Sequence, residues 1–267
     1  MSRAEPDRGA TAALPLSPHA ARYNLRDYGG YAVASGGRVR QGLLLRSGQL
    51  DDALPADEGL LARLGVQTVI DLRSASEIGQ TKAGAYHGFA GRVCTAACED
   101  GVIPHAIKGL IGLGRAEDVA AKMIETYRLL PGSPRFREGL THYFAALAEP
   151  GGATLIHCFA GKDRTGLAVA LLHLVLGVHR DDMVHDYLLT NSCGEERIAA
   201  GIAVLRRQSA ADVREDVLRE AMGVRADYLA AALAVIGEEA ESPATWVGQV
   251  TGLGESGLER IRQVLIA

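Results

Sequence analysis

The sequence is poor in cysteine and carries no large excess of charge of one sign. Four cysteines in 267 residues are too few for the disulfide framework of a small secreted domain. The formal net charge is −4, whereas a nucleic-acid-binding domain usually carries a basic stripe. There is no apolar run long enough to span a bilayer, and the N-terminal segment lacks the apolar centre of a signal peptide. These absences predict a reduced protein that is cytoplasmic by default, with no transmembrane segment and no nucleic-acid partner.

The composition is otherwise that of a globular protein. Hydrophobic residues make up 48% of the chain and charged residues 22%, which is enough for a sizeable core with an ordinary surface. The first twenty residues are rich in alanine, proline and small polar residues, and we expect residues 1–20 to be a loosely ordered leader. Because no linker-like segment interrupts the remainder, residues 21–267 are predicted to form one domain.

Short apolar segments alternate with helical patterns along the chain. Strands are predicted over 37–50, 66–74, 91–98 and 151–158, a short helix over 57–64, and longer helices over 117–130, 134–149 and 165–176. The glycine-rich stretch 99–118 is expected to be a loop or lid, and everything after residue 179 has helical character. The pattern predicts an α/β fold with a mostly parallel central sheet flanked by helices and a helical C-terminal elaboration.

One short segment concentrates the chemistry. In "LIHCFAGKDRTGL", residues 155–167, Cys158 ends a predicted buried strand, and Arg164 follows just before a helix. Ligands in α/β folds lie at the carboxyl ends of strands, and helix N-termini bind anions. The backbone amides of this loop are therefore expected to surround inorganic phosphate or another oxyanion, with Arg164 as a two-point clamp. The loop residues are Phe159, Ala160, Gly161, Lys162, Asp163 and Arg164.

The same environment activates the cysteine. A thiol with an ordinary pKa of about 8.5 loses its proton more readily at a helix N-terminus beside cations, so Cys158 is predicted to attack phosphorus as a thiolate. Thr165 is expected to donate a hydrogen bond to the sulfur. His157 is expected to support the loop from beneath, because strand alternation points it away from Cys158. Gly161 allows the backbone to turn without a Cβ.

Three other interpretations of the loop are weaker. An ATP-type phosphate loop would need glycine at position 156 and serine or threonine at 163, where this chain has Ile156 and Asp163. A sulfurtransferase loop would not require the arginine–threonine pair at the start of the helix. An inert buried cysteine would leave Lys162, Asp163 and Arg164 together at a turn without an explanation.

No metal or other cofactor is expected. Cys94 and Cys98 lie near His87, but they lack the paired spacing of a structural zinc site. Strand and loop packing is the simpler explanation for both cysteines. The eight histidines show no metal-binding spacing either.

The motif "HCFAGKDRTG" resembles the signature of the cysteine-based protein tyrosine phosphatases, in which a cysteine is followed after five residues by arginine and then serine or threonine. The lysine–aspartate pair inside the loop is similar to the bacterial family that contains mycobacterial tyrosine phosphatase B. Further segments resemble that family: "NLRDYGGY" at 24, "LLRSGQL" at 44, "VIDLRSASE" at 69, "DYLLTNS" at 186 and "GVRADYLAAALAVI" at 223. The resemblance covers most of the chain.

The resemblance implies a tyrosine or dual-specificity phosphatase fold and a covalent mechanism. Cys158 would form a phosphocysteine, Arg164 would bind the phosphoryl oxygens, and no metal would take part. Substrates would be phosphotyrosine and also phosphoserine, phosphothreonine or phosphoinositides, in proteins or lipids. Unconventional secretion is implied by analogy. A phosphate-binding module without turnover is the alternative that the residues leave open.

Two carboxylates are candidates for the general acid. Many tyrosine phosphatases carry this group on a mobile loop before the cysteine, where this chain has Asp100; the resembled family implicates the loop residue itself, Asp163. We favour Asp163, although an aspartate at this position is also a common helix cap. Lys162 is expected either to meet a second phosphate or to face solvent beside Asp163.

Several charged residues outside the loop are candidate supports. Arg26 and Asp27 precede glycines in a predicted tight turn, and the alternative for them is an exposed ion pair. Asp71 and Arg73 end a predicted strand, where the alternative is a solvated pair. Asp186 and Asn191 lie on the helix after the cysteine loop and are expected to support it from behind.

Overall fold

The computed structural model describes residues 20–51, 53–54, 57, 59–79, 86, 88–98, 112–149, 151–208 and 214–267. Residues 1–19 of the expected leader, His87, Asp100 and the first part of the expected lid, residues 99–111, lie outside the described residues. The last residue of the expected leader, Ala20, begins a helix. The rest of that stretch runs into a helix that begins at Ala116.

A five-stranded sheet forms the centre of the fold, in the order β1-β2-β5-β3-β4. Strand β1 is antiparallel to β2, and the other neighbours are parallel. The mostly parallel α/β class predicted from the sequence is therefore confirmed. The strands are β1 Arg26–Asp27, β2 Leu44–Ser47, β3 Val66–Asp71, β4 Arg92–Thr95 and β5 Ala153–His157.

The helices begin close to the predicted positions where apolar periodicity is strong. They are α1 Ala20–Tyr23, α2 Leu60–Arg63, α3 Ala75–Gly79, α4 Ala116–Leu129, α5 Pro134–Ala148, α6 Asp163–Leu176, α7 Arg180–Cys193, α8 Glu195–Gln208, α9 Glu215–Met222, α10 Ala226–Glu239, α11 Pro243–Thr251 and α12 Gly254–Leu265. Several predictions were too long: the helix at 57–64 is the single turn α2, and the strands at 37–50, 66–74, 91–98 and 151–158 are limited to β2, β3, β4 and β5. The sequence did not predict β1 or α3.

Side chains alternate across the central strands and build a core on each face of the sheet. Leu44, Ile70 and Ile156 face the larger core, which also contains α5, α6 and α10. Leu45, Val69 and Leu155 face a smaller core on the other side. This alternation is the period of two that a strand imposes. Both faces are therefore covered by apolar residues, as parallel sheets require.

Helix α6 lies inside the larger core. All of its side chains except that of Leu174 are buried, as predicted from their apolar character on every face. The C-terminal helices α10, α11 and α12 pack around α4, α5 and α6. Helices α8 and α9 share a small apolar cluster of Ile198, Ile202, Leu218 and Met222. In the part of the chain that the structure describes, every helix is too short or too polar to cross a bilayer.

Candidate active site

The predicted loop connects the carboxyl end of the central strand to the buried helix. Strand β5 ends at His157, which pairs with Ser47 on one side and Asp71 on the other. Cys158 follows and is 2% exposed, whereas the next side chain, Phe159, is 44% exposed. Helix α6 begins at Asp163. The cysteine therefore lies buried between the end of β5 and the positive end of α6.

Gly161 is required by the shape of the loop. Its φ angle is +66°, and a Cβ built on it would lie 2.4 Å from the carbonyl carbon and oxygen of Ser47. A side chain at this position would therefore suffer from both backbone strain and a collision with β2. The glycine predicted from the sequence thus allows the loop to lie directly against the neighbouring strand.

Hydrogen bonds from outside the loop hold its carbonyl groups. The carbonyl of Phe159 accepts from the amide of Gln49 at 3.0 Å. The carbonyl of Gly161 accepts from the side chains of Asn24 at 2.9 Å and Arg46 at 3.0 Å. Among the described residues, the amides of residues 159–162 donate no hydrogen bond to the protein. These unpaired donors are what an oxyanion requires.

Arg164 is held by a carboxylate. Its Nη1 and Nη2 atoms each donate to Glu77 at 2.7 Å, and Nη1 also donates to the carbonyl of Leu72 at 2.9 Å. Burial lowers the pKa of this guanidinium, but the hydrogen bonds to Glu77 and the charge of Cys158 outweigh it and raise the pKa. These contacts use three of the five N–H donors of the arginine. The Nε–H and the second N–H of Nη2 remain available along one edge of the guanidinium. Nε is buried and has no partner in the described part of the chain.

Glu77 is the functional residue that the sequence analysis missed. It lies in α3, where the amide of Ser74 donates to its carboxylate at 2.7 Å and its own amide donates to the Ser74 hydroxyl at 3.0 Å. This reciprocal pair is a capping box, and the spacing Ser-x-x-Glu is its sequence signal. This spacing is present in the segment "VIDLRSASE". It could have predicted a helix start with an ordered glutamate.

Asp163 is the first residue of α6 and does not cap the helix, whose N-cap residue is Lys162. The hydroxyl of Tyr127 donates to Oδ1 of Asp163 at 2.8 Å, and Tyr187 contacts the same hydroxyl at 2.6 Å. Burial and the charge of Asp163 hold the pKa of Tyr127 well above its usual range. Tyr127 is therefore a neutral donor, and one oxygen of Asp163 is fixed by it.

Lys162 and Arg197 converge on the carboxyl end of α9. The Lys162 ammonium donates to the carbonyls of Ala221 at 2.8 Å and Gly223 at 3.1 Å, and Arg197 donates to that of Met222 at 3.2 Å. Lys162 is only 6% exposed, so the expectation of a solvent-facing lysine was wrong. Its pKa is lowered by burial, which the charge of Asp163 partly offsets.

Arg197 was not singled out from the sequence. Burial lowers its pKa, while the charges of Asp163 and Cys158 act in the opposite direction. Its Nε atom is buried and finds no partner among the described residues. This cation comes from α8, which is distant from the loop in sequence, and its helical position gave no signal.

His157 lies beneath the loop as expected. It is fully buried, Nε2 contacts the hydroxyl of Tyr86 at 2.5 Å, and Nδ1 lies 3.3 Å from the carbonyl of Cys158. Burial lowers its pKa, against the charge of Asp71, whose carboxylate is 3.7 Å away. A neutral, buried imidazole with these partners is suited to fixing the loop.

The predicted supporting charges are buried, so the alternatives of exposed or solvated pairs were wrong. Asp71 binds Arg73 with both carboxylate oxygens, the shortest contact being 2.7 Å. Asp27 accepts from the amides of Gly29 at 2.7 Å and Gly42 at 2.6 Å, which lie on the turns beside β1. Asp27 therefore orders these turns and makes no hydrogen bond to the loop.

Arg26 belongs to a buried network behind the loop. It contacts the side-chain oxygen of Asn24 and donates to the carbonyl of Asp186 at 2.9 Å. Burial and the neighbouring charge of Arg46 lower the pKa of Arg26 to about 10, against the effect of Asp186. Asp186 is thus linked to the loop by two routes, one through Arg46 and one through Arg26 and Asn24. Asn191, by contrast, binds the backbone of Val224.

Thr165 and the candidate metal ligands were also named from the sequence. The Thr165 hydroxyl is buried without a hydrogen-bond partner in the described chain, so the bond expected from it to the cysteine sulfur is not formed here. Residues 20–51, 59–79 and the other described segments contain no group of three or more histidine, cysteine or acidic side chains that could hold a metal ion. Cys94 is partly buried and Cys98 exposed, and both are free thiols.

Comparison with known proteins identifies the class. The model of the tyrosine phosphatase family matches residues 18–267 of this chain. The chain therefore belongs to the tyrosine phosphatase family, and it is a phosphatase. The resemblance and the enzyme class predicted from the sequence are confirmed.

Particular relatives extend along most of the chain. The triple specificity protein phosphatase PtpB of Mycobacterium tuberculosis is 30% identical over 272 residues, which cover 91% of this chain and 96% of that protein. A protein of Cupriavidus necator whose name assigns it to the tyrosine-protein phosphatases is 35% identical over 216 residues, or 80% of this chain and 76% of the relative. A tyrosine-protein phosphatase of Nostoc commune is 28% identical over 156 residues, which cover 55% and 47%.

Proposed function

We propose that the protein hydrolyses phosphate monoesters through a phosphocysteine formed on Cys158. The observation that carries this proposal is the position of Cys158 between the carboxyl end of β5 and the start of α6, in a loop where the amides of residues 159–162 have no partner among the described residues. The remaining donor edge of Arg164 adds two parallel N–H groups, which match the spacing of two phosphoryl oxygens. Phosphate, with its charge spread over three oxygens, fits such a site better than a neutral group does.

In the first step the Cys158 thiolate attacks phosphorus, and the bond to the leaving oxygen breaks. Asp163 in its protonated form gives its proton to that oxygen, so that a neutral alcohol or phenol departs. In the second step Asp163, now ionised, takes a proton from water as the water attacks the phosphocysteine. Inorganic phosphate leaves and the thiolate is restored. The Thr165 hydroxyl is proposed to stabilise the departing sulfur, and Asp100 is the second candidate for the acid.

The proposed reaction needs no metal or other cofactor. The partial positive charge at the start of α6, the loop amides and Arg164 supply the positive potential that a metal ion would otherwise give. Hydrolysis of para-nitrophenyl phosphate by the wild-type protein and by Cys158→Ser, each with and without EDTA, tests this. We expect turnover that EDTA leaves unchanged and that Cys158→Ser abolishes.

The competing function is a phosphate-binding module without turnover. It predicts that wild-type protein binds inorganic phosphate and releases no nitrophenol at any pH. Rapid mixing separates the two further: a burst of nitrophenol equal to the enzyme concentration indicates a covalent intermediate. Loss of activity on adding EDTA, with recovery on adding a divalent cation, would contradict the metal-independent mechanism.

The role of Asp163 is tested by the leaving group. Asp163→Asn cannot donate the proton, so we expect kcat for phenyl phosphate to fall roughly 100-fold or more. The fall should be smaller for para-nitrophenyl phosphate, whose phenolate leaves without protonation. Equal losses on both substrates would assign the acid elsewhere, and Asp100→Asn is then the variant to measure.

We propose that the substrates include phosphotyrosine, phosphoserine, phosphothreonine and phosphoinositides. Support comes from the relative named as a triple specificity phosphatase and from two cations that converge on the carboxyl end of α9, the buried Lys162 and the half-buried Arg197. The Arg197 Nε–H, without a partner among the described residues, is a donor for a second phosphate on an inositol ring.

The substrate range is tested by measuring phosphate release from matched substrates. We expect Arg197→Ala to lose more activity on a polyphosphorylated inositide than on a phosphotyrosine peptide. Lys162→Ala is compared in the same assay. Arg206→Ala is the matched control, because Arg206 lies on the same helix and contacts Glu215 at the surface. Equal losses on both substrates would limit Arg197 to a general electrostatic role.

The compartment is a separate proposal. Composition favours the reduced cytoplasm, and the resemblance adds unconventional secretion as the alternative. An antibody against the protein, applied to cell and medium fractions with a cytoplasmic marker, distinguishes the two.

A further inference from the structure

We propose that Asn24 and Arg46 are positioning residues that turn the backbone amide of Lys162 into the phosphate-binding loop. They do so by holding the carbonyl oxygen of Gly161 from behind. This inference rests on the proposed function of the loop, but its main test measures phosphate binding and does not depend on turnover.

Two side chains donate hydrogen bonds to one carbonyl oxygen of the loop. Asn24 donates from Nδ2 at 2.9 Å and Arg46 from Nη2 at 3.0 Å, both to the oxygen of Gly161. Asn24 and Arg46 are each fully buried. A carbonyl oxygen has two lone pairs and can accept both bonds, so the two donors together fix the direction of the C=O bond. No water competes for either donor at this burial.

The direction of this carbonyl determines the direction of the next amide. Peptide bonds are planar and trans, so the C=O of one residue and the N–H of the next point in opposite directions. There is no cis peptide bond in the described part of the chain. The Lys162 N–H therefore points away from Asn24 and Arg46. That N–H makes no hydrogen bond to the protein among the described residues, which leaves it for a ligand.

The peptide between Phe159 and Ala160, two peptides earlier in the loop, follows the same rule with a backbone donor. The Gln49 amide binds the carbonyl of Phe159 at 3.0 Å, and this directs the Ala160 N–H to the opposite side. Gly161 lies against Ser47 too closely for any side chain, so the loop is fixed on the side of β2 at three successive places.

The two donors are themselves fixed. Arg46 binds the carboxylate of Asp186 through Nη1 at 2.8 Å, and Arg26 connects the Asp186 carbonyl to the side-chain oxygen of Asn24. Asn24 has a φ angle of +54°, a left-handed conformation that asparagine adopts more readily than most residues. This conformation brings the amide group back toward the loop. A network with so many fixed members is what preorganisation of a site requires.

The first test observes the Lys162 amide directly. The chain has four lysines, so labelling with ¹⁵N-lysine gives a small set of amide signals, and Lys162→Arg identifies the one from Lys162. Titration of the wild-type protein with inorganic phosphate is expected to move the Lys162 signal strongly downfield. In Asn24→Gly, which keeps the left-handed backbone but lacks the donor, we expect this shift to fall to half or less. An undiminished shift in Asn24→Gly would overturn the proposal.

The second test separates positioning from general stability. Asn24→Gly is expected to lower kcat/KM and to raise the inhibition constant for orthovanadate by roughly 10- to 100-fold, which is less than the roughly 100- to 1000-fold loss on removing an oxyanion donor outright, because the amide is misdirected and not removed. Ser133→Ala removes a helix cap in α5, away from the loop, and serves as the control for stability. It should lower the thermal midpoint without changing kcat/KM or vanadate inhibition. If the two variants lose activity only in proportion to their unfolding, Asn24 is structural.

Arg46→Lys gives an independent variant in case Asn24→Gly does not fold. Lysine keeps the positive charge beside Asp186, but its single ammonium replaces a rigid fork that reaches both Asp186 and Gly161. We expect the same reduced amide shift and the same loss of vanadate binding. If the Lys162 signal moved as far in Arg46→Lys as in the wild-type protein, the hydrogen bond from Arg46 to the Gly161 carbonyl would not position this amide. A wild-type protein whose Lys162 amide responds to phosphate but which has no turnover would leave the inference standing and reject the phosphatase mechanism.

Discussion

The hydroxyl of Tyr127 donates a hydrogen bond of 2.8 Å to Oδ1 of Asp163, at the start of the buried helix α6. A donor of this kind fixes the direction of the carboxyl group that accepts from it. Asp163 is proposed to pass its proton to the leaving oxygen, and this transfer needs a defined orientation. Tyr127 is therefore placed to orient the carboxyl group for the proton transfer.

Replacing Tyr127 should slow the step that depends on the acid. In Tyr127→Phe the donor to Oδ1 of Asp163 is lost, so the carboxyl group is less well oriented toward the leaving oxygen. We expect kcat for phenyl phosphate to fall roughly 10- to 100-fold, and kcat for para-nitrophenyl phosphate, whose phenolate leaves without protonation, to fall less. Tyr143→Phe, which removes a buried hydroxyl bonded to Tyr28 instead, is the matched control. Equal losses on both substrates in Tyr127→Phe would separate this tyrosine from the acid step.

Glu77 should be needed for catalysis although it has no place in the proposed chemistry. Glu77→Gln keeps the shape of the side chain but replaces a two-point ionic contact with Arg164 by a weaker one, so the guanidinium is less well fixed. We expect kcat/KM for para-nitrophenyl phosphate to fall roughly 10- to 100-fold. Glu117→Gln, at an exposed glutamate of α4, is the control and should have wild-type activity. Wild-type activity in Glu77→Gln would show that Arg164 holds its position without this carboxylate.

Gly166 should tolerate no side chain. A Cβ at this position would lie 2.8 Å from two ring carbons of Tyr187, which is fully buried. Overpacking of this kind costs about 1–3 kcal/mol, and we expect Gly166→Ala to lower the free energy of unfolding by that amount in urea titrations. The control is Gly237→Ala in α10, where a Cβ meets nothing within 4 Å. That substitution should stabilise the protein by about 0.5–1 kcal/mol, because alanine favours a helix. A stabilising Gly166→Ala would mean that Tyr187 moves freely.

The carboxylate of Glu138 should make the free energy of unfolding depend on pH in the acidic range. It accepts hydrogen bonds from the amides of Ala97 at 3.0 Å and Cys98 at 2.8 Å, which with the Cys98 thiol lower the pKa of Glu138 to about 2 from a usual 4.5. A depressed pKa stabilises the fold above pH 4.5, and this contribution is lost as the pH falls toward 2. Because the side chain is partly exposed, the effect should be about 1 kcal/mol or less.

Urea titrations of Glu138→Gln and wild type at pH 6 and pH 3.5 measure this effect. We expect the stability difference between the two proteins to be largest at pH 6 and to shrink at pH 3.5. Glu117→Gln again provides the control, since its difference from wild type should not depend on these amides. A difference that grows as the pH falls would show that Glu138 is not held in its ionised form.

The sequence predicted the elements whose cause is local. The periodicity of residues 165–176 and the apolar centre of 66–71 gave α6 and β3, and the order of cysteine, glycine and arginine gave the loop. The burial of α6 on all faces could also be predicted, because its apolar residues lie on every side of the helix. These features depend on neighbours in sequence, which a pattern contains.

The sequence did not predict contacts that join distant segments. The bond from Asn24 to Gly161 spans 137 residues and the one from Arg164 to Glu77 spans 87. Arg46 lies in the middle of β2, where a charged side chain would ordinarily point to solvent, yet it is buried because Asp186 meets it from α7. Lys162 was misjudged for the same reason: carbonyls of α9, sixty residues away in sequence, accept its hydrogens. Only the assembled fold brings these partners together.

Helix α6, whose first turn carries Asp163, Arg164 and Thr165, has no face from which it could unravel into solvent. Opening that turn means separating α6 from the core on every side, which requires a free energy close to that of unfolding the whole protein. Hydrogen–deuterium exchange at the hydrogen-bonded amides of α6, from Gly166 onward, should therefore be as slow as at the centre of the sheet. A destabilising substitution elsewhere in the core would then reduce the amount of active enzyme and leave the activity of each folded molecule unchanged.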